Sequence, residues 1–126
     1  MRITLLVAIL LSINTYSQTG PGGIGNSTNN ILWLKADGGA FIDAGSTQAT
    51  HGQQVRQWRD NSGNNNHATQ ATAGNRPLFH ANSANGHPGL RFTGDLFIDG
   101  PNLAIPSSSS YTYIIVFRDT ATGLGG

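Results

Sequence analysis

Apolar and polar residues alternate along this chain in short bursts, and no stretch sustains a helical period. The bursts predict short strands separated by turns. Ile31-Leu-Trp33-Leu-Lys-Ala36 is the first, with Ile31, Trp33 and Lys35 on one face and Leu32 and Leu34 on the other. Asp37-Gly38-Gly39 ends it, Phe41-Ile42 predicts a short strand, and Gly45 to Gly52 reads as a polar loop. Val55 to Arg59 then leads into Asp60-Asn-Ser-Gly63-Asn-Asn-Asn66, which is turn chemistry almost throughout. Asp and Asn bond their own backbone, and Gly63 accepts a positive φ without a Cβ clash. His67-Ala-Thr69 starts the next strand. This strand, turn and strand form the centre of the expected fold.

Beyond it, Ala71 to Pro77 reads as a loop and Leu78-Phe79-His80 as a short strand. Asn85-Gly86 is a two-residue hairpin signal, followed by a strand over Gly89 to Thr93. Gly94-Asp95 turns the chain into Leu96-Phe-Ile98, and Asp99-Gly100-Pro101 turns it again. Leu103 to Ile105 predicts a brief pairing, and Ser107 to Ser110 a soft linker. The strongest strand signal is Tyr111-Thr-Tyr-Ile-Ile-Val-Phe-Arg118. Tyr111, Tyr113, Ile115 and Phe117 share one face, and Ile114 and Val116 the other, which predicts a central strand covered on both sides. Strands roughly 8–15 residues apart with turn signals between them predict an all-β, two-sheet antiparallel sandwich. A covered strand needs neighbours, and little sequence follows Arg118. The expectation is a chain that stops inside its domain and exposes an apolar edge.

The N-terminus changes the picture of where the protein works. Arg2 is a short cationic region, Leu5 to Leu11 an apolar one, and Thr15-Tyr16-Ser17 a small-residue cleavage pattern before Gln18. Residues 1–17 therefore read as a secretory signal peptide, too short for a membrane span of about 20 residues. Residues 18–30 read as a flexible Gly-, Pro- and Asn-rich lead-in, and residues 31–126 as the sandwich portion. The expected location is secreted or cell-surface, with no membrane insertion after the signal is removed. Asn26-Ser27-Thr28 matches the N-glycosylation pattern, which matters only in a eukaryotic host.

Composition adds exclusions. The 126 residues suit one domain. Seven Lys or Arg against six acidic residues, all of them Asp, leave no basic run, so nucleic acid is not an expected partner. The absence of Cys removes disulfides and thiolate metal sites. The absence of Glu weighs against several carboxylate mechanisms.

Candidate chemistry is sparse. Asp60, Asn61, Ser62 and Asn64 offer closely spaced oxygens of the kind calcium takes, but one carboxylate alone would bind weakly. The other reading is an Asx-type turn, with Asp60 accepting backbone N–H bonds and Gly63 at the bend. Trp33, Trp58, Tyr111 and Tyr113 are either sandwich core or platforms for sugar rings. Asp95 and Asp99 on one strand would lie about 13 Å apart, beyond the roughly 5–9.5 Å of glycosidase carboxylates. They read as turn caps, and no catalytic residue is assigned. His51, His67, His80 and His87 have no short ligand spacing.

Leu32 to Gly38, Val55 with Trp58 to Asn64, His67 to Gln70, Arg76-Pro77, Asn85 to Pro88 and Leu90 to Gly94 together resemble a known family. They are similar to the N-terminal half of concanavalin A-like lectin/glucanase modules. These are the laminin-G-like jelly rolls of secreted Bacteroidetes proteins. The likeness covers about Ile31 to Arg118, and the leader ending Tyr16-Ser17-Gln18 looks like exported proteins of that group. Many of these end in a type IX sorting tail, and none is seen here. The resemblance implies a jelly roll that binds glycans, mediates adhesion, spaces domains or accompanies hydrolases. Glucanases of this fold carry two Glu and an Asp alternating on one strand, a pattern missing from this sequence. The expected function is a non-catalytic module binding polysaccharide or cell-surface glycan, or serving adhesion. Two alternatives are a polysaccharide-degrading enzyme whose catalytic residues lie beyond residue 126, and a structural spacer.

Overall fold

The computed structural model of the chain describes residues 20–21, 29–103, 105 and 110–119. The expected signal peptide, most of the lead-in with its glycosylation pattern, most of the serine linker and the final loop lie outside the described residues. Strands among the described residues form two antiparallel sheets, with a 3-10 turn over Ala73–Asn75. The first sheet is β1 (Ala40–Phe41), β2 (Gln57–Trp58) and β3 (Ala68–Thr69), in that order. Ala40 lies opposite Trp58, and Trp58 opposite Ala68. The second is a hairpin of β4 (Leu78–Ala84) and β5 (His87–Arg91).

The hairpin follows its turn residues. Asn85 and Gly86 both have positive φ, at 49° and 81°, the combination a tight two-residue hairpin turn requires. The register slips between His80 and Ala84, and Pro88, which has no N–H to donate, sits beside the irregularity.

One segment joins the sheets. Gly52 and Val55 donate to the carbonyls of Phe79 and Pro77, both at 2.8 Å, and Phe79 donates back to Gln53 at 2.8 Å. Three residues further on, β2 pairs with β1 and β3. A single segment, residues 52–58, thus bonds first to the hairpin sheet and then to the three-stranded sheet. Its pivot is Val55, 0% exposed, packed with Ala40 and Ala49 and flanked by Ile42, Phe79, Leu90 and Ile98. The core is built on small residues, so backbones approach closely. A Cβ on Gly39 would stand 2.2 Å from the Lys35 carbonyl oxygen, which leaves glycine as the residue that fits.

Three expectations need correction. Ile31 to Ala36 is not a regular strand: Leu34 makes an isolated bridge to Asp60, and loop side chains bond the Ile31 carbonyl and the Trp33 N–H instead of a ladder. Leu96 to Ile98 is not a strand either, although Asp99 bridges Thr69 at the edge of β3. Tyr111 to Arg118 lacks strand pairing, and its apolar side chains are 57% to 94% exposed instead of covered. β-prone side chains need a neighbouring backbone to pair with, and this segment pairs with no strand among the described residues.

Val55→Ala is expected to cost about 2 kcal/mol, because buried methyl groups are lost at a site closed in by two sheets. Ile114→Ala, at an exposed position, is expected to change stability by less than about 0.5 kcal/mol. Urea midpoints of the two variants check the contrast, and equal losses would contradict the burial pattern.

Candidate functional site

Asp60 lies two residues after β2 and is buried. Its Oδ1 accepts the backbone N–H groups of Trp33 at 2.8 Å and Ser62 at 2.9 Å. Its Oδ2 accepts the Ser62 hydroxyl at 2.7 Å and the Asn66 N–H at 3.0 Å. The Asp60 N–H itself donates to His67 Nδ1 at 3.1 Å. Burial pushes the Asp60 carboxyl up, but the bonds from the Ser62 hydroxyl and from Ser62, Trp33 and Asn66 N–H groups outweigh it. They hold it below the usual carboxylate range. Gly63, at φ 93°, turns the loop in the conformation its lack of Cβ allows.

The rest of the loop reaches outward to the segment before Trp33. Asn66 Nδ2 donates to the Ile31 carbonyl at 2.8 Å, and Asn64 Nδ2 to that of Asn30 at 2.8 Å. The Ser62 hydroxyl also lies 3.2 Å from the Ile31 carbonyl. Asn61 N–H closes on the Trp33 carbonyl at 2.8 Å. Trp33 is therefore gripped at both backbone groups by consecutive residues of the loop. For calcium the fit is poor. Each Asp60 oxygen already faces two donors, and the Asn64 amide nitrogen points at carbonyls, so a cation would have to displace the bonds that form the turn. Among the described residues, no three His, Cys, Asp or Glu gather as a metal site.

The four aromatic candidates come from distant segments, yet all line one cavity of about 1780 Å³. Its walls are the Trp33 segment, Trp58, the β4–β5 hairpin and the exposed run from Tyr111. Pockets that enclose a small molecule hold about 300–1,000 Å³, so this is a trough. Trp33 and Trp58 are half-buried. Lys35 Nζ lies 5.4 Å from the Trp33 ring centroid, as their shared face in the sequence suggested. Tyr111 and Tyr113 meet edge to face at 5.2 Å. Two buried donors, Trp58 Nε1 and Asn30 Nδ2, have no hydrogen-bond partner among the described residues. Of the loop proposed for calcium, none of Asp60, Asn61, Ser62 and Asn64 lines the trough.

Spacing gave no hint of a histidine pair. His51 and His80 meet edge to face at 4.8 Å, and the Ala81 N–H donates to His51 Nδ1 at 3.3 Å. The contact depends on the pairing of residues 52–55 with β4, which no local motif reveals. Burial, then the charges of His51 and Arg91, hold His80 below the ordinary imidazole value. Asp43 is a second loop carboxylate engaged by backbone. Thr47 N–H and hydroxyl, then Ser46 N–H, keep it well below the usual range. Asp95 lies in a turn and Asp99 in a backbone bridge, not together on one strand.

The class these features define is a β-rich protein with a carboxylate-clamped turn beside an aromatic trough. No protein-family model, curated protein or solved structure matches the chain. No helix among the described residues is long and apolar enough to cross a membrane.

Acid should weaken the fold in two steps. Folding makes His80 harder to protonate, so its contribution is complete above about pH 6.5 and declines as pH falls below that. The Asp60 carboxylate is favoured by folding, so its contribution holds above about pH 4 and is lost on further acidification. Urea midpoints from pH 8 to pH 2 should show both declines. His80→Gln should remove the first, and Asp60→Asn should shrink the second while costing about 2 kcal/mol at neutral pH. A wild-type midpoint flat from pH 8 to pH 5 would contradict the histidine assignment.

Proposed function

We propose that this chain is a non-catalytic jelly-roll sandwich module of a secreted or cell-surface bacterial protein, and that it binds glycan through the aromatic trough. The observation that carries this reading is the convergence of Trp33, Trp58, Tyr111 and Tyr113 on one cavity. Sugar rings present apolar CH faces to aromatic rings and hydroxyls to polar rims. Half-buried tryptophans and exposed tyrosines lining one trough offer such apolar contact, and the tyrosine hydroxyls a polar rim. Two antiparallel sheets that share the run 52–58 support the sandwich, since strands that switch sheets form the corners of such folds. The apolar leader of residues 1–17 supports export.

The size of the trough favours a polymer over a monosaccharide. The loop around Asp60 takes a positioning role, because it fixes the backbone of Trp33 and not the ligand.

Trp33→Ala is expected to weaken binding of a retained polysaccharide on the order of fivefold, about 1 kcal/mol of ring contact. Asp60→Asn should weaken it less, by loosening the same ring. Affinity electrophoresis of the mature chain against a polysaccharide series measures both. Undiminished retention of the Trp33→Ala variant would remove the trough as the binding site.

A further inference from the structure

The charges around the trough are of one sign. Lys35, Arg91 and Arg118 line it, together with His80 and His87, and none of the six Asp residues does. The whole chain carries a formal charge of only +1, so this is local segregation and not a generally basic protein. A low-dielectric cleft lined by one sign focuses potential onto whatever enters it.

The placement is specific in chemistry as well as sign. Lys35 Nζ stands over the Trp33 ring, 5.4 Å from its centroid, so an anionic substituent carried to that wall meets an ammonium held at the aromatic residue. Arg91 ends β5 on the hairpin wall, is exposed, and carries a planar fork that takes carboxylate or sulfate oxygens in pairs. Cations on these walls therefore favour a ligand rich in anionic oxygen.

We infer that the trough takes an acidic polysaccharide, one bearing uronate carboxylates or sulfate esters, in preference to a neutral one. The inference rests on the glycan reading above and narrows its ligand class. The aromatic rings supply contact to the sugar, and Lys35 and Arg91 select the anionic substituent. Both cations are exposed, so each contributes a few-fold and is weakened by salt.

The test is affinity electrophoresis of the mature chain in gels containing dextran, dextran sulfate, polygalacturonate or a soluble β-glucan, at low salt and with about 0.15 M salt. Dextran and its sulfate share a backbone, and polygalacturonate separates carboxylate from sulfate recognition. The expected result is at least tenfold stronger retardation by one or both acidic polymers than by dextran. Lys35→Gln with Arg91→Gln should reduce it by roughly fivefold or more. Arg56→Gln, an exposed cation away from the trough, should leave it unchanged. Equal binding of dextran and dextran sulfate, unaffected by the double variant, overturns the acidic preference and leaves glycan binding standing. Equal loss in Arg56→Gln and the double variant also overturns it, because binding would then follow surface charge in general. Failure of all four polymers to retard a chain with a wild-type circular dichroism spectrum overturns the glycan reading itself.

Discussion

A buried carboxylate with four donors around it is the constraint on which the rest of this structure depends. Asp60 is almost sealed from water, and an ionised group there is costly unless its lone pairs are used. They are used on both oxygens, by three backbone N–H groups and the Ser62 hydroxyl. Three of those donors come from its own loop, and the fourth comes from Trp33, 27 residues earlier. The local bonds fold the loop, and the distant one ties it to another part of the chain. A neutral amide at this position would present one acceptor oxygen and add two donors to a ring of donors. That is why the turn needs an acid and not merely a polar residue.

Once the loop is fixed, its outward side chains do the work a strand ladder does elsewhere. Residues 30–33 run beside the loop, yet the carbonyls of Asn30, Ile31 and Trp33 are taken by the Asn64 and Asn66 amides and the Asn61 N–H. The three-stranded sheet can therefore be very short. β1, β2 and β3 have two residues each, too few to order a domain by ladder bonds alone. Side-chain staples at the loop and the shared run 52–58 supply the remaining order. The Arg59 guanidinium adds another such staple, lying 4.0 Å from the Phe41 ring centroid and donating to the Gly45 carbonyl.

Legibility in the sequence followed the range of each interaction. The Asp60 to Asn66 turn and the Asn85-Gly86 hairpin were readable because their causes are local, in side chains that bond their own backbone and in positions that need positive φ. The small strands at Gln57–Trp58, Ala68–Thr69 and Leu78–Ala84 appeared near where alternation placed them. Ile31 to Ala36 was misread because its pattern is that of a strand while its bonding partners are amides on a loop. Tyr111 to Arg118 was misread because alternation reports what a segment is suited to, and pairing depends on what lies beside it. The trough required both kinds of information. Its aromatic residues could be named in advance, but their meeting depends on pairings across tens of residues.

The same division explains why the trough is basic in a nearly neutral chain. Asp43 and Asp60 direct their oxygens at backbone N–H groups in the loops that follow them, and Asp99 lies where its backbone bridges Thr69. Those positions are fixed by turn geometry, on loops and edges away from the hairpin wall. Lys35 and Arg91 have long side chains and sit on extended backbone, so their heads can reach the trough without a folding role. Asp43 and Asp60 are held by the backbone they organise, as Arg59 and Arg76 are on the basic side, whereas Lys35 and Arg91 are left at the opening. The positive lining of the trough therefore needs no dedicated site, because two of the carboxylates are taken by turns and none of the six lines it.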